Sequence, residues 1–194
     1  MIYKSEEQAF PADAQIHVLR HFKSVDEGYL HTISVLSGKT VDVIKSIFET
    51  PGSKFNENLV SNPNKLLNFI AEYEKNPDSR ILKEGNVLMV FFSVSAFPQG
   101  IGTDNILALN ELTTEENGKI YTVTRDGFKI KCLKRPEKKN TWQINIIFRT
   151  GSEKQIIRTI FPGRYSPPFP NLSYQSKQEF ERNRIFWENN VFLI

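Results

Sequence analysis

Between Tyr121 and Cys132 apolar and polar residues alternate on both sides of an Asp126-Gly127 pair. Two residues of that kind between alternating runs predict a β-hairpin closed by a type I′ turn. Counting outward pairs Arg125 with Phe128, Thr124 with Lys129, Val123 with Ile130, Thr122 with Lys131 and Tyr121 with Cys132. Because strand side chains alternate between faces, one face is mostly apolar (Tyr121, Val123, Phe128, Ile130 and Cys132). The other carries Thr122, Thr124, Lys129 and Lys131, a hydroxyl-and-ammonium surface suited to phosphate or to plain water.

The same reasoning extends along the chain. A charged loop from Arg135 to Asn140 leads into Thr141–Thr150, where Trp142, Ile144, Ile146 and Phe148 alternate with mostly polar residues. Gly151-Ser152 turns the chain into Gln155–Phe161, with Ile157, Thr159 and Phe161 expected on one face and Ile156, Arg158 and Ile160 on the other. Val87–Ser95 follows the turn residues Gly85-Asn86 as a continuous apolar run and reads as a central strand covered on both faces. Helical spacing appears at Val41, Ile44, Ile47 and Phe48, with Thr40 as cap and Pro51-Gly52 as stop. A second helix is expected from Pro63 to Lys75, capped by Asn62 and burying Leu66, Leu67, Ile70 and Tyr73. After a proline-stiffened crossing, Ser176 opens a closing helix whose apolar residues are Phe180, Ile185, Phe186 and Trp187. The expectation is an α+β fold: N-terminal helices packed on a twisted antiparallel sheet of about five strands, with a C-terminal helix. Residues 1–28 form an arm or short helix, and 29–194 a single α+β domain.

Several function classes find no support. The chain has 194 residues, 39% of them hydrophobic, which is enough to bury a real core and places it far from the disordered class. Cys132 is the only cysteine, so no intramolecular disulfide or thiolate zinc cluster forms; in an alternating run it reads as a small core residue. The longest apolar run, Val87–Phe92, is too short to span a bilayer, and the N-terminal residues lack the basic start and apolar stretch of a signal peptide. The loop Phe97–Asp104 holds two glycines without the Gly-Lys-Ser/Thr ending of a phosphate-binding loop, and no Gly-x-Ser-x-Gly elbow occurs. His17 and His21 have the i, i+4 spacing of two metal ligands on one helical face, but no third ligand accompanies them. Neither a metal nor a nucleotide cofactor is expected.

Charge supplies the positive signal. From Lys119 to Arg164 there are 12 Lys or Arg against three acids, or +9, while the rest of the chain holds 13 against 19, or −6. A concentrated positive surface attracts phosphate backbones and gains affinity by releasing their counterions, so a polyanion or an acidic protein is the expected partner. RNA brings its own nucleophile, the 2′-hydroxyl, and its cleavage needs only a base, an acid and fixed donors or cations around phosphorus. Among the three histidines His31 is the candidate base, with Thr32, Lys39 and Thr40 close in sequence. Arg158, Thr159 and Tyr165 flank the end of the last strand, where a cation and two hydroxyls can surround a phosphate. With Lys39, the lysines and threonines of the first hairpin and Arg149 form the expected RNA-binding set.

At His31-Thr32-Ile33-Ser34-Val35-Leu36-Ser37-Gly38-Lys39-Thr40, and at Thr159-Ile160-Phe161-Pro162, the chain resembles the RNase A-like toxin domains found at the C-termini of bacterial contact-dependent growth inhibition proteins. Gly100-Ile101-Gly102-Thr103-Asp104, with Phe161-Pro162-Gly163 and Pro167-Pro168-Phe169-Pro170, resembles the wider group of such toxins that cleave tRNA on a barnase/EndoU/colicin/RelE-like fold. The resemblance implies a ribonuclease-like domain over 29–194, a toxin role in bacterial competition, action in the cytoplasm of a target cell and a cognate immunity protein. Thr159 matches a position expected to act, whereas Leu36, Ile47 and Phe161 stand where the RNase A-like pattern has histidine, arginine and tyrosine. Either a different constellation built from His31 and the basic sheet operates here, or the nuclease site has been lost. Three readings follow: a metal-independent RNA endonuclease, a non-catalytic binding module for RNA or an acidic protein, and an immunity or scaffold protein.

Overall fold

The computed structural model describes residues 8–73, 80–84, 87–93, 97–112, 119–125, 127–134, 138–150 and 154–194. In chain order its elements are β1 (Gln8–Ala9), α1 (Ala12–Val18), a 3-10 turn (Leu19–His21), α2 (Glu27–Ser37), α3 (Val41–Phe48), β2 (Lys54–Phe55), α4 (Pro63–Tyr73), β3 (Arg80–Glu84), β4 (Val87–Ser93), β5 (Gly102–Thr103) and β6 (Ile106–Ala108). A second 3-10 turn (Leu109–Glu111) precedes β7 (Ile120–Arg125), β8 (Phe128–Leu133), β9 (Asn140–Thr141), β10 (Gln143–Thr150), β11 (Gln155–Pro162), α5 (Lys177–Glu188) and β12 (Asn190–Leu193). The fold is α+β, with helices leading, antiparallel pairing dominant and a helix near the C-terminus. It divides into two compact units, one made of Met1–Thr103 with Asn140–Gly163 and the other of Asp104–Lys139 with Arg164–Ile194.

In the first unit five strands run in the order β1-β11-β10-β4-β3, and β2, β5 and β9 form a small second sheet. One face of the β10-β11 pair presents Ile144, Ile146, Phe148, Ile157 and Ile160 to Ile16, Leu19, Ile33, Ile44, Leu66 and Ile70 of the helices. Each such side chain removed from water contributes about 1.5–3 kcal/mol. The helices start where their caps place them: Asp26 Oδ1 accepts from the Tyr29 N–H at 2.9 Å, Thr40 Oγ1 from Val43 at 3.4 Å and Asn62 Oδ1 from Lys65 at 2.9 Å. Asn62 Nδ2 also donates to Asp26 Oδ2 at 2.7 Å, which ties the starts of α2 and α4 together. Gly38, at φ 68°, ends α2 in the left-handed conformation that favours glycine.

The second unit has a four-stranded sheet in the order β6-β12-β8-β7, with β12 parallel to β8. The hairpin register counted from Asp126-Gly127 holds from Arg125↔Phe128 to Tyr121↔Cys132, and Gly127 has φ 78°. A reciprocal capping box between Ser176 and Glu179 opens α5. Trp187 packs against Phe169 with ring centroids 4.6 Å apart and donates its Nε1–H to the Pro167 carbonyl at 3.0 Å.

The strands are distributed differently from the sequence expectation. The two hairpins, expected in one sheet of about five strands, lie in different sheets of different units. Residues 12–21, read as part of an arm or short helix, are helical and supply Ile16, Val18 and Leu19 to the main core. His31, expected at the entrance to the helical region, lies inside α2, and β12 follows the helix that was expected to close the chain. The turn residues Gly85-Asn86, Asp126 and Gly151-Ser152 lie outside the described residues, as do Arg135, Pro136 and Glu137 of the charged loop, the Tyr73 side chain and the N-terminal residues read for a signal peptide. Among the described residues no helix is long and apolar enough to cross a membrane.

Candidate functional site: a basic cluster on α1 and β11

α1 buries Ala14, Ile16 and Val18 on one side and leaves Asp13 and His17 exposed on the other, with Arg20 continuing the line in the following 3-10 turn. Spacings of four and three residues stack these polar side chains on one helical face. α1 packs on β11, and the Arg158 guanidinium of that strand approaches the Asp13 carboxylate at 3.9 Å. The pKa of His17 is lowered from its ordinary value, first by the protein atoms around the ring and then by the Arg20 and Arg158 guanidiniums. The imidazole is therefore neutral near pH 7 and lies under the influence of two permanent cations.

Arg158 owes its position to a β-bulge. Ile147 pairs with Thr159 and Phe148 with Ile157, which leaves Arg158 without a partner on β10. The extra residue lets Ile157 and Ile160, an odd number of positions apart, both face the core, where each is fully buried. This corrects the face assignment expected from strict alternation: Ile160 and Pro162 share the Ile157 face, while Thr159 and Phe161 share the Ile156 face. The Thr159 hydroxyl is buried and has no hydrogen-bond partner among the described residues.

Behind the cluster, His21 has a structural environment. Its Nδ1 lies 3.0 Å from the Ser53 carbonyl oxygen, and since a carbonyl only accepts, Nδ1 carries the ring proton. The ring leans on Phe161 with centroids 5.7 Å apart, and burial brings its pKa down to about 3 despite the Ser53 bond. Lys54 directs its ammonium to the carbonyl oxygens of Arg20 (2.5 Å), Phe48 (2.7 Å) and Phe22 (3.3 Å). A cation there satisfies carbonyl groups left over at the C-terminal ends of the 3-10 turn and α3.

Lys54 also lines an open cleft of about 250 Å³, together with Lys23, Glu57, Asn58, Gln99, Thr103 and Asn140, among others. The backbone here requires glycine: a Cβ at Gly102, a lining residue, would collide with the Lys54 carbonyl, and one at Gly100, where φ is 74°, would lie 2.5 Å from the Thr141 carbonyl oxygen. The glycines of the Gly100–Asp104 stretch thus serve close backbone approach.

The expected site residues are only partly gathered. His31 is exposed on α2 and, among the described residues, makes no hydrogen bond or ion pair; the histidine that Arg158 influences is His17. Lys39 is exposed in the turn before α3, and Arg149 is exposed on β10. Thr122, Thr124, Lys129 and Lys131 line one exposed face of β7 and β8 in the second unit, to which Tyr165 also belongs. The +9 segment is likewise divided: by sequence the first unit holds 13 basic and 13 acidic residues, the second 12 and 9. In the second unit Arg164 pairs with Glu111 at 3.0 Å and donates its backbone N–H to Asp104 at 2.9 Å. Among the described residues no three His, Cys, Asp or Glu side chains converge as metal ligands would.

These features define an α+β protein whose first unit holds a histidine within the electrostatic reach of two arginines and also carries a polar cleft. No family model matches the chain, and no curated protein matches it. Among solved structures, a conserved hypothetical protein from Toxoplasma gondii is similar at a TM-score of 0.45 and 6% identity, over 72% of this chain and 88% of that one. A likeness of that size carries no argument about function.

Proposed function

We propose that the protein is a metal-independent RNA endonuclease, acting on tRNA as the toxin of a bacterial competition system, with His17 rather than His31 as its base. The observation that carries the reading is the arrangement of the His17 imidazole with Arg20 on its own helical face and Arg158 on the facing strand. Neutral His17 takes the proton of a 2′-hydroxyl, and the 2′-oxygen attacks the adjacent phosphorus. The P–O bond to the 5′-oxygen breaks, water protonates that leaving oxygen, and a 2′,3′-cyclic phosphate remains. Arg20 and Arg158 hold the charge that accumulates on the phosphoryl oxygens. Arg158 is available for this because its contact with Asp13 is long and solvent-exposed, the kind of pair that contributes about 0–1 kcal/mol.

The resemblance to contact-dependent growth inhibition toxins supports placing the activity in a target-cell cytoplasm, with an immunity protein as partner. Incubation of the purified chain with total tRNA in EDTA tests the chemistry. The expected result is discrete fragments with cyclic phosphate ends, a loss on the order of 10²–10⁴-fold in His17→Ala, a comparable loss in Arg158→Ala, and retention in His31→Ala. Full activity in a folded His17→Ala variant rejects the assigned base. Intact tRNA accompanied by a mobility shift replaces the enzyme reading with that of a binding module.

A further inference from the structure

The cleft beside Lys54 takes no part in the chemistry above, yet its lining is selective. Asn58, Gln99 and Asn140 line it as exposed residues, and among the described residues none of the three makes a side-chain hydrogen bond, so their amides are available to a ligand. Each amide offers donors and an acceptor on one planar group, the combination that reads the edge of an unpaired nucleobase. Thr103 adds a hydroxyl that can donate or accept. The Lys54 ammonium is engaged by three backbone carbonyls, so the cation available to the cleft is Lys23, whose ion pair among the described residues is a long, solvent-exposed 3.9 Å contact with Glu57, itself a lining residue. Amides for a neutral heterocycle and a rim ammonium for an anion together match one nucleotide better than they match a plain sugar, which carries no charge for Lys23 to meet.

Lys54 links this cleft to the 3-10 turn that carries Arg20. Lys54 lines the cleft, while its ammonium binds the Arg20 carbonyl and acts electrostatically on His21. We infer that the cleft is a subsite for one unpaired nucleotide, its base read by Asn58, Gln99 and Asn140 and its phosphate met by Lys23, and that it gives the enzyme its sequence preference. The inference rests on the RNA reading in taking the ligand to be a nucleotide.

Calorimetric binding of the full chain to the four nucleoside 5′-monophosphates, with ribose 5-phosphate and inorganic phosphate as references, tests it without any cleavage step. At least one nucleotide is expected to bind about tenfold more tightly than ribose 5-phosphate, as two added neutral hydrogen bonds imply. The double variant Asn58→Ala/Gln99→Ala, both positions being exposed, is expected to lose that tenfold margin while melting at the wild-type temperature. Equal binding of ribose 5-phosphate and all four nucleotides overturns the inference, as does an unchanged margin in the folded double variant. A base preference in a chain that leaves tRNA intact keeps the subsite and removes the catalytic reading. Cleavage of tRNA with no base preference in mononucleotide binding does the opposite.

Discussion

At His21 a single proton connects packing to pH. The half-buried ring is held neutral in the folded chain, with a pKa lowered from 6.5 to about 3, whereas an unfolded chain binds a proton at its ordinary value. Between those two values the unfolded state carries more protons, so stability rises with pH across the window and falls as the solution is acidified below 6.5. By pH 5 the effect reaches up to about 2 kcal/mol relative to pH 7. Urea unfolding at the two pH values measures it, and His21→Gln is expected to remove most of this dependence. A wild-type stability that is flat from pH 7 to pH 5 sinks this account. His17 shows a related case: its pKa is also lowered, first by burial of the ring and then by the Arg20 and Arg158 guanidiniums, although the residue as a whole lies at the surface.

Two backbone features of the elements set the site's geometry. The bulge at Arg158 releases one basic side chain from ladder alternation and lets two isoleucines share the core face. At Gly102, β5 runs between β2 and β9 so closely that a methyl group would meet both the Lys54 carbonyl and, at 3.0 Å, the Pro162 side chain. Gly102→Ala is therefore expected to destabilise the chain by about 2–3 kcal/mol through overpacking, and to widen the β2–β5 separation that shapes the cleft. Chemical denaturation measures the first effect, and the nucleotide margin of the variant the second. A Gly102→Ala chain of wild-type stability shows that the close approach is not rigid.

For the whole molecule, the distribution of charge matters more than its total. With basic residues split between two units, the proposed RNA affinity has two candidate sources: the α1-β11 cluster in the first and the Lys129-Lys131 face in the second. The slope of log affinity against log salt separates them, because each phosphate contact adds about 0.7–0.9 to its magnitude. Fluorescence anisotropy with labelled tRNA is expected to show a slope shallower by roughly 1.5 in Arg20→Ala/Arg158→Ala. Lys129→Ala/Lys131→Ala is expected to change it less. The reverse ranking moves the RNA surface to the second unit and weakens the assignment of His17.

Local chemistry was legible in the chain itself. The Asp126-Gly127 register, the caps at Thr40, Asn62 and Ser176, and the apolar faces of α3 and α4 follow from turn geometry, capping and periodicity, which act over a few residues. The α1 cluster was hidden because seven helical residues are too few to reveal a period, so His17 and His21 read only as an incomplete metal pair. The bulge was hidden because Ile156, Ile157 and Ile160 place apolar residues on both parities of the strand, and only burial against the helices chose between them. Which sheet each hairpin joins, which histidine Arg158 influences and which residues line the cleft all depend on residues far apart in sequence. Long-range packing decided those features, because local pattern fixes how a strand or helix forms but not what it is placed against.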